Sequence, residues 1–299
     1  MNLLEEINSA ISIFAGFMWG PPLLIILLGG GIYFSFYSRF VPFKYFYHGI
    51  NILFGRYNDP KDPGEITHFQ ALSSALASTV GLGNISGVAI AIQMGGPGAL
   101  FWMWLSAILG MSTKFFSCTL SVLYRGKDDA GNIQGGPMYY IKNGLGNNWK
   151  WLGFIFALFG TIAAFGIGNM VQSNTVAIQV KNTLQIEPII TGLIIASISA
   201  IVIIGGVKRI GLIASSLVPI MAIIYFLSAM FIVFANLERV PEALNLIIEN
   251  AFDTSSAAGG FAGSAMALAM QYGISRGVFS NEAGLGSAPI AHAAAKTNS

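Results

Sequence analysis

Seven stretches of this chain, at about 17–37, 68–95, 98–124, 151–179, 189–206, 210–236 and 260–295, are predominantly apolar over most or all of the ~20 residues a helix needs to cross a bilayer. Inside a bilayer no water satisfies exposed peptide groups, so a spanning segment must bond its own backbone as a helix or close into a barrel. Barrel strands are short and alternate in polarity, whereas these runs are long and continuous. The fold class that follows is an all-α integral membrane protein. Composition agrees: 54% of the residues are hydrophobic and 9% charged, against about 25% charged in soluble domains. A net charge of +2 leaves no basic footprint, so the partner expected is the lipid bilayer and no nucleic acid.

The ends and loops add orientation. Residues 2–16 read as a short amphipathic helix lying at the interface. Glu5 and Glu6 occupy the place of a basic leader region, so no cleaved signal is expected. Loop 38–67 carries Arg39, Lys44, Arg56 and Lys61, and loop 125–150 carries Arg125, Lys127, Lys142 and Lys150. With Lys208, Arg209 and Lys296 these put eleven basic residues on one side. Lys181 and Arg239 lie on the other, among Glu187, Glu238, Glu242, Glu249 and Asp253. The positive-inside rule makes the basic side cytoplasmic, giving a multi-pass protein of the cell membrane with its N-terminus outside. Trp19, Trp102 and Trp104 then fall near the outer interface, and Trp149 and Trp151 near the inner one.

Two spans resist a simple helix. The first holds 78-STVGLGNISG-87. Glycine in a helix interior costs about 1 kcal/mol relative to alanine, so Gly81, Gly83 and Gly87 as a set argue for an opened backbone. Unwound peptide at membrane depth is tolerated where it is buried in protein or lines a cavity. Its free carbonyls suit a cation, and the N–H groups of a half-helix start suit a carboxylate. The alternative is helix packing through the Gly83/Gly87 pair. The second is 273-GISRGVFSNEAGLGSAP-289, where Arg276 and Glu282 sit six residues apart and Pro289 is expected to add a kink. Two interrupted helices of opposite direction, five spans apart, point to the binding site of an inverted-repeat carrier. Lys114 reads as a fixed stand-in for a mobile cation or as a partner of a helix C-terminus. Asn169, Gln172 and Asn174 form a polar patch that lines a site or bonds between helices. His292 offers a proton-relay reading, and the single Cys118 can form no intrachain disulfide.

The segments GEITHFQALSSALASTVGLGNISGVA, GGPGALFWMWLSAILGMSTK, GGPMYY and SRGVFSNEAGLGSAPIAHAAAKT together resemble the alanine/glycine:cation symporter family, also called sodium:alanine symporters, over essentially the whole chain. The resemblance implies a LeuT-like fold of two inverted five-helix repeats behind an extra first helix. Residues 1–67 would then hold the amphipathic segment, the extra helix and a cytoplasmic loop. Residues 68–236 would form the first repeat, and 237–299 an outer loop and the broken first helix of the second. Family members continue with further helices, so the chain is expected to match the N-terminal part of one, the missing C-terminal helices being a partner of the site. The implied activity is symport of a small neutral amino acid, alanine or glycine, with sodium as the coupling ion, and no enzymatic chemistry.

By motif, the N–H groups of Leu82 and Gly83 would hold the substrate carboxylate. The Thr79 carbonyl and Asn84 side chain would take one sodium ion, and the carbonyls of Ala77 and Val80 a second. Thr79 and Asn84 would also border the substrate, with Phe165 and Gln172 lining it. Gly273, Ser275 and Asn281, in the segment from Gly273 to Asn281, would serve its ammonium. A proton-coupled permease or channel using Glu282 and His292, or a truncated membrane fragment that transports nothing, are the alternative readings.

Overall fold

Apolar runs broken by glycine and proline fold here as helices whose ends fall at those residues. The computed structural model describes residues 3–253 and 265–298. Along the chain come α1 (Leu3–Met18), α2 (Pro21–Tyr37), α3 (Val41–Lys44), α4 (Phe46–Leu53), α5 (His68–Thr79), α6 (Leu82–Gly95) and α7 (Ala99–Leu123). A two-residue ladder, β1 (Gly126–Lys127) with β2 (Ile133–Gln134), precedes α8 (Pro137–Leu145). Then follow α9 (Lys150–Ala163), a π-helical turn over Ala164–Met170, α10 (Val171–Leu184), α11 (Pro188–Ile203), α12 (Gly206–Ala235), α13 (Val240–Ala251), α14 (Ala265–Asn281) and α15 (Ser287–Ala293).

Among the described residues, five helical stretches are long and apolar enough to cross a membrane: Glu5–Tyr37, His68–Gly95, Ala99–Leu123, Asn147–Leu184 and Gly206–Ala235. α11 is a shorter apolar helix, and the expected span 260–295 takes the form of α14 and α15, its first residues lying outside the described ones. The N-terminal segment departs from expectation. α1 passes through Trp19 and Gly20 into α2, and both belong to one long apolar stretch, so the separate interfacial helix 2–16 is replaced by the leading part of a span (Asn2 is not among the described residues).

The chain divides into two compact units, one of residues 1–46, 79–116 and 224–285, the other of 47–78, 117–223 and 286–299. In the first, Trp102, Ala251, Ala269, Ile274 and Val278 form the core, packed by Leu24, Leu27 and Phe101. The Trp102 indole N–H donates to the Ala251 carbonyl at 3.1 Å. Trp102 is 9% exposed, so it is a core residue and not part of an interfacial aromatic belt. Glycines let these helices touch. A Cβ on Gly31 would meet Leu109 Cβ at 2.9 Å, and one on Gly110 would meet Ala283 Cβ at 2.7 Å. Small residues at contacts are what helices in lipid need, because apolar side chains gain nothing by leaving lipid tails for each other.

In the second unit Ile66, Ala71, Ala294 and Ala295 are buried together, and Gly211 packs against Ile66 and Gln70. The β1–β2 turn is held by Asp128, which accepts from the backbone N–H groups of Ala130 (3.0 Å) and Asn132 (2.8 Å) and from two side-chain amides. The Asn132 bonds, first its side chain's and then its backbone's, pull the Asp128 carboxyl below its ordinary pKa. Pro289, expected to kink a helix, instead lies in the first turn of α15, where its missing N–H leaves no bond unmade. Its carbonyl accepts from the Ser121 hydroxyl at 2.6 Å.

Candidate functional site

α5 stops at Thr79 and α6 starts at Leu82, leaving Val80 and Gly81 outside either helix. Gly81 is extended and caps α6 with no side-chain hydrogen bond. The first N–H groups of a helix have no partner within it and carry the positive end of its dipole. Leu82 and Gly83 lead α6, while the Asn84 N–H turns back to the Gly81 carbonyl at 3.1 Å.

Asn84 binds this corner together. Its amide nitrogen donates to the Thr79 carbonyl at 3.0 Å, its side-chain oxygen accepts from the Ser280 hydroxyl, and its own carbonyl accepts from Tyr225 Oη at 3.0 Å. Three neutral oxygens, the Thr79 carbonyl, Asn84 Oδ1 and Ser280 Oγ, therefore meet around one amide group. Such a set fits a hard cation, as unwound carbonyls do in membrane carriers. Among the described residues no cluster of three His, Cys, Asp or Glu offers a transition-metal site.

Ser280 and Tyr225 are the residues that sequence reasoning missed. Ser280 stood inside a quoted motif, but nothing in its spacing distinguishes it from Ser275. Tyr225 lies on α12, far along the chain, and no local signal marks it. Gly83 explains its own smallness: a Cβ there would meet Ser280 Cα at 3.2 Å and Phe279 Cδ1 at 3.3 Å. Gly87 does not; its nearest neighbour would be the Leu82 carbonyl at 3.8 Å. Among the described residues the two are thus not a packing pair: Gly83 makes a close approach to α14 and Gly87 does not.

The second interruption is real but lies later than expected. α14 runs unbroken through Gly273, Ser275 and Asn281, and the chain leaves helix over Glu282–Gly286. Gly273 is buried, and a Cβ there would collide with the Ala99 carbonyl and with Trp102 Cβ, while the Ser275 hydroxyl bonds to the Tyr272 carbonyl at 3.3 Å within its own helix. The carbonyls of Gly273 and Ser275 sit in regular helix, so an opened backbone at those two positions is corrected by the structure. The helix ends on a left-handed residue, Glu282 (φ 55°), with Gly284 (φ 93°) and Gly286 (φ 83°) also left-handed. Left-handed ends are common and usually fall to glycine; a glutamate there is a strained choice. The break separates Arg276, in α14, from Glu282.

At this end Asn281 uses all but one of its groups. Its side-chain oxygen accepts from the Ala283 N–H at 2.8 Å, and its carbonyl accepts from Lys114 Nζ at 3.1 Å. Lys114 is thus a partner of a helix C-terminus, where a cation is favoured. Asn281 Nδ2 is buried without a hydrogen-bond partner.

Thr79, Val80, Leu82, Gly83, Asn84, Gly273, Ser275 and Asn281 all belong to the first unit, and Ala77, Phe165 and Gln172 to the second. Ala77 is exposed near the end of α5; Phe165 is 67% exposed and Gln172 half-buried. Phe165 lies within the π-helical turn, and Gln172 just after it. Such turns are rare and often mark functional segments. The His292 ring reaches the Ala288 carbonyl at 2.9 Å along α15.

Among the described residues the protein is a largely helical membrane protein with two interrupted helices and neutral oxygens gathered at one break. A profile of the sodium:alanine symporter family matches residues 4–299. An uncharacterised transporter of Haemophilus influenzae is 48% identical over 98% of this chain and 63% of its own length. The sodium/alanine symporter AgcS of Methanococcus maripaludis is 45% identical over 100% and 64%, and the probable sodium/glutamine symporter GlnT of Bacillus subtilis is 41% identical over 99% and 60%. This chain belongs to the sodium:alanine symporter family, and it spans a little over three fifths of the length of these relatives.

Proposed function

We propose that this chain carries the binding corner of a secondary active symporter that couples sodium to a small neutral amino acid, alanine or glycine, by alternating access. The reading rests on one observation above the others: Asn84 joins the end of α5, the start of α6 and the last turn of α14 in a single set of hydrogen bonds. Thr79 and Asn84, with Ser280 added, supply oxygens for one sodium ion, and the carbonyls of Ala77 and Val80 for a second. The leading N–H groups of Leu82 and Gly83 receive the substrate carboxylate. Asn281, whose amide nitrogen lacks an acceptor, stays a substrate contact. Of the last carbonyls of α14, those of Phe279 and Ser280 take over from Gly273 and Ser275 in facing the ammonium, since Val278 accepts from the Glu282 N–H and Asn281 from Lys114. Residues 68–236 correspond on this reading to the first repeat of a LeuT-like fold and 237–299 to the opening of the second. The N-terminus faces outward because eleven basic residues share the opposite side.

Equilibrium binding of radiolabelled alanine to the purified chain in lipid nanodiscs tests it. Binding is expected in sodium and absent in potassium, and Asn84→Ala weakens it by about tenfold or more, roughly 1.4 kcal/mol. Equal binding in both salts, or an unaffected Asn84→Ala variant, overturns the assignment. Binding that follows pH and ignores sodium favours the proton-coupled alternative through Glu282.

A further inference from the structure

Arg125 follows the last helical residues of α7 and belongs to the second unit together with residues 63–67 and 293–297. Its guanidinium collects four main-chain carbonyls. Nη1 donates to Ala293 (3.1 Å) and Ala295 (2.9 Å), and Nη2 to Pro63 (3.0 Å) and Thr297. The same two segments pair directly. The Glu65 N–H donates to the Ala294 carbonyl at 2.8 Å, Lys296 N–H to Ile66 at 2.8 Å, and Thr297 N–H to Pro63 at 3.2 Å, with Ile66 and Ala295 in a parallel bridge. Gly64 is the residue that allows it. Its φ of 142° is open to glycine, and a Cβ there would collide with the Ala295 carbonyl.

Each segment continues into a half-helix. Residues 63–67 lead into α5, which stops at the first interruption, and 293–297 follow α15, which begins after the second. We propose that Arg125 and these two short strands form a releasable latch, tying together the two half-helices that a carrier must part to open toward this face. Two features favour a latch over a permanent staple. First, among the described residues every hydrogen-bond acceptor of the guanidinium is a neutral carbonyl. A broken ion pair strands a charge on its partner; here release leaves only peptide groups that water can satisfy. Second, the strands are joined by a few hydrogen bonds outside any helix, and the residues flanking the buried Ile66–Ala295 pair (Pro63, Glu65, Lys296 and Thr297) are exposed or half-buried, so the strand ends can open locally first. Burial lowers the Arg125 pKa, the Asp62 carboxylate offsetting only part of it; a guanidinium stays charged throughout, so the latch responds to motion and not to pH. A planar fork of five donors is what four carbonyls require, which lysine cannot imitate.

This inference rests on the symport reading, and hydrogen exchange on the full chain in nanodiscs separates the two. Exchange is followed at Glu65, Ile66, Lys296 and Thr297, and at Leu82–Asn84, with and without sodium plus alanine. Arg125→Gln is expected to speed exchange at the four strand amides by tenfold or more, with α6 and α14 unchanged. Lys296→Pro removes one strand donor without touching a spanning helix; it is expected to speed exchange at the remaining three. Adding sodium and alanine is expected to change exchange at the strand amides as well as at Leu82–Asn84. A response at Leu82–Asn84 with none at the strands overturns the latch and leaves symport standing. If neither region responds, the symport reading falls and the variants decide: selective acceleration supports the latch, and unchanged exchange in both overturns it.

Discussion

Glycine positions that look alike in the sequence differ sharply in what surrounds them. A methyl group at Gly273 would collide with the Ala99 carbonyl, one at Gly83 would press on Ser280 Cα, and one at Gly87 would meet nothing closer than ordinary contact. Overpacking of this kind costs about 1–3 kcal/mol, while Gly→Ala in open helix gains up to about 1 kcal/mol. Thermal unfolding of the detergent-solubilised chain should therefore rank Gly273→Ala as most destabilised, Gly83→Ala next, and Gly87→Ala as neutral or stabilised. A Gly87→Ala variant as damaged as Gly83→Ala would restore the packing-pair reading. Asn84 and Ser280 mark the limit of local reading: Asn84 stands out as a polar group in an apolar run, whereas Ser280 becomes visible only when α14 is laid beside α6.

Both broken helices are continuous apolar runs in sequence, and the residues that stop them differ. At the first, a two-residue gap suffices, and α6 restarts on Leu82. The second needs three left-handed residues between Asn281 and Ser287. Gly286 carries the greatest constraint, since at φ 83° a side chain is strained and a Cβ would meet Phe156 Cζ at 2.6 Å and Pro137 Cγ at 2.9 Å. Gly286→Ala is expected to destabilise the chain by about 1–3 kcal/mol and to loosen α15, read as faster hydrogen exchange in Ser287–Ala293; unchanged exchange there would show the turn is not what seats α15. The break was legible as a glycine-rich, ionisable stretch. Its position was not, because Gly273 and Gly277 read as breakers yet serve as close-contact points against α7, where Gly277 meets Met103 and Ser106.

On the scale of the whole chain, the proposed sharing of one corner by ion and amino acid would impose reciprocity. If sodium raises alanine affinity by some factor, alanine must raise sodium affinity by the same factor, with couplings of about 5–150-fold typical. Titrating alanine at several sodium concentrations, and sodium at several alanine concentrations, should return one coupling factor for the chain in nanodiscs. Two unequal factors would mean that the two ligands are not linked through a single equilibrium.

Hydropathy by itself determined the helical membrane fold, because a bilayer leaves a chain of this composition no other way to satisfy its backbone. The motifs likewise named the family. Tertiary structure alone decided which glycines are contacts and which are hinges, where the second helix breaks, that Lys114 caps the end of α14, and that Arg125 gathers two distant strands. Those outcomes depend on what lies across from a residue, and distance through space is not written in the order of the chain.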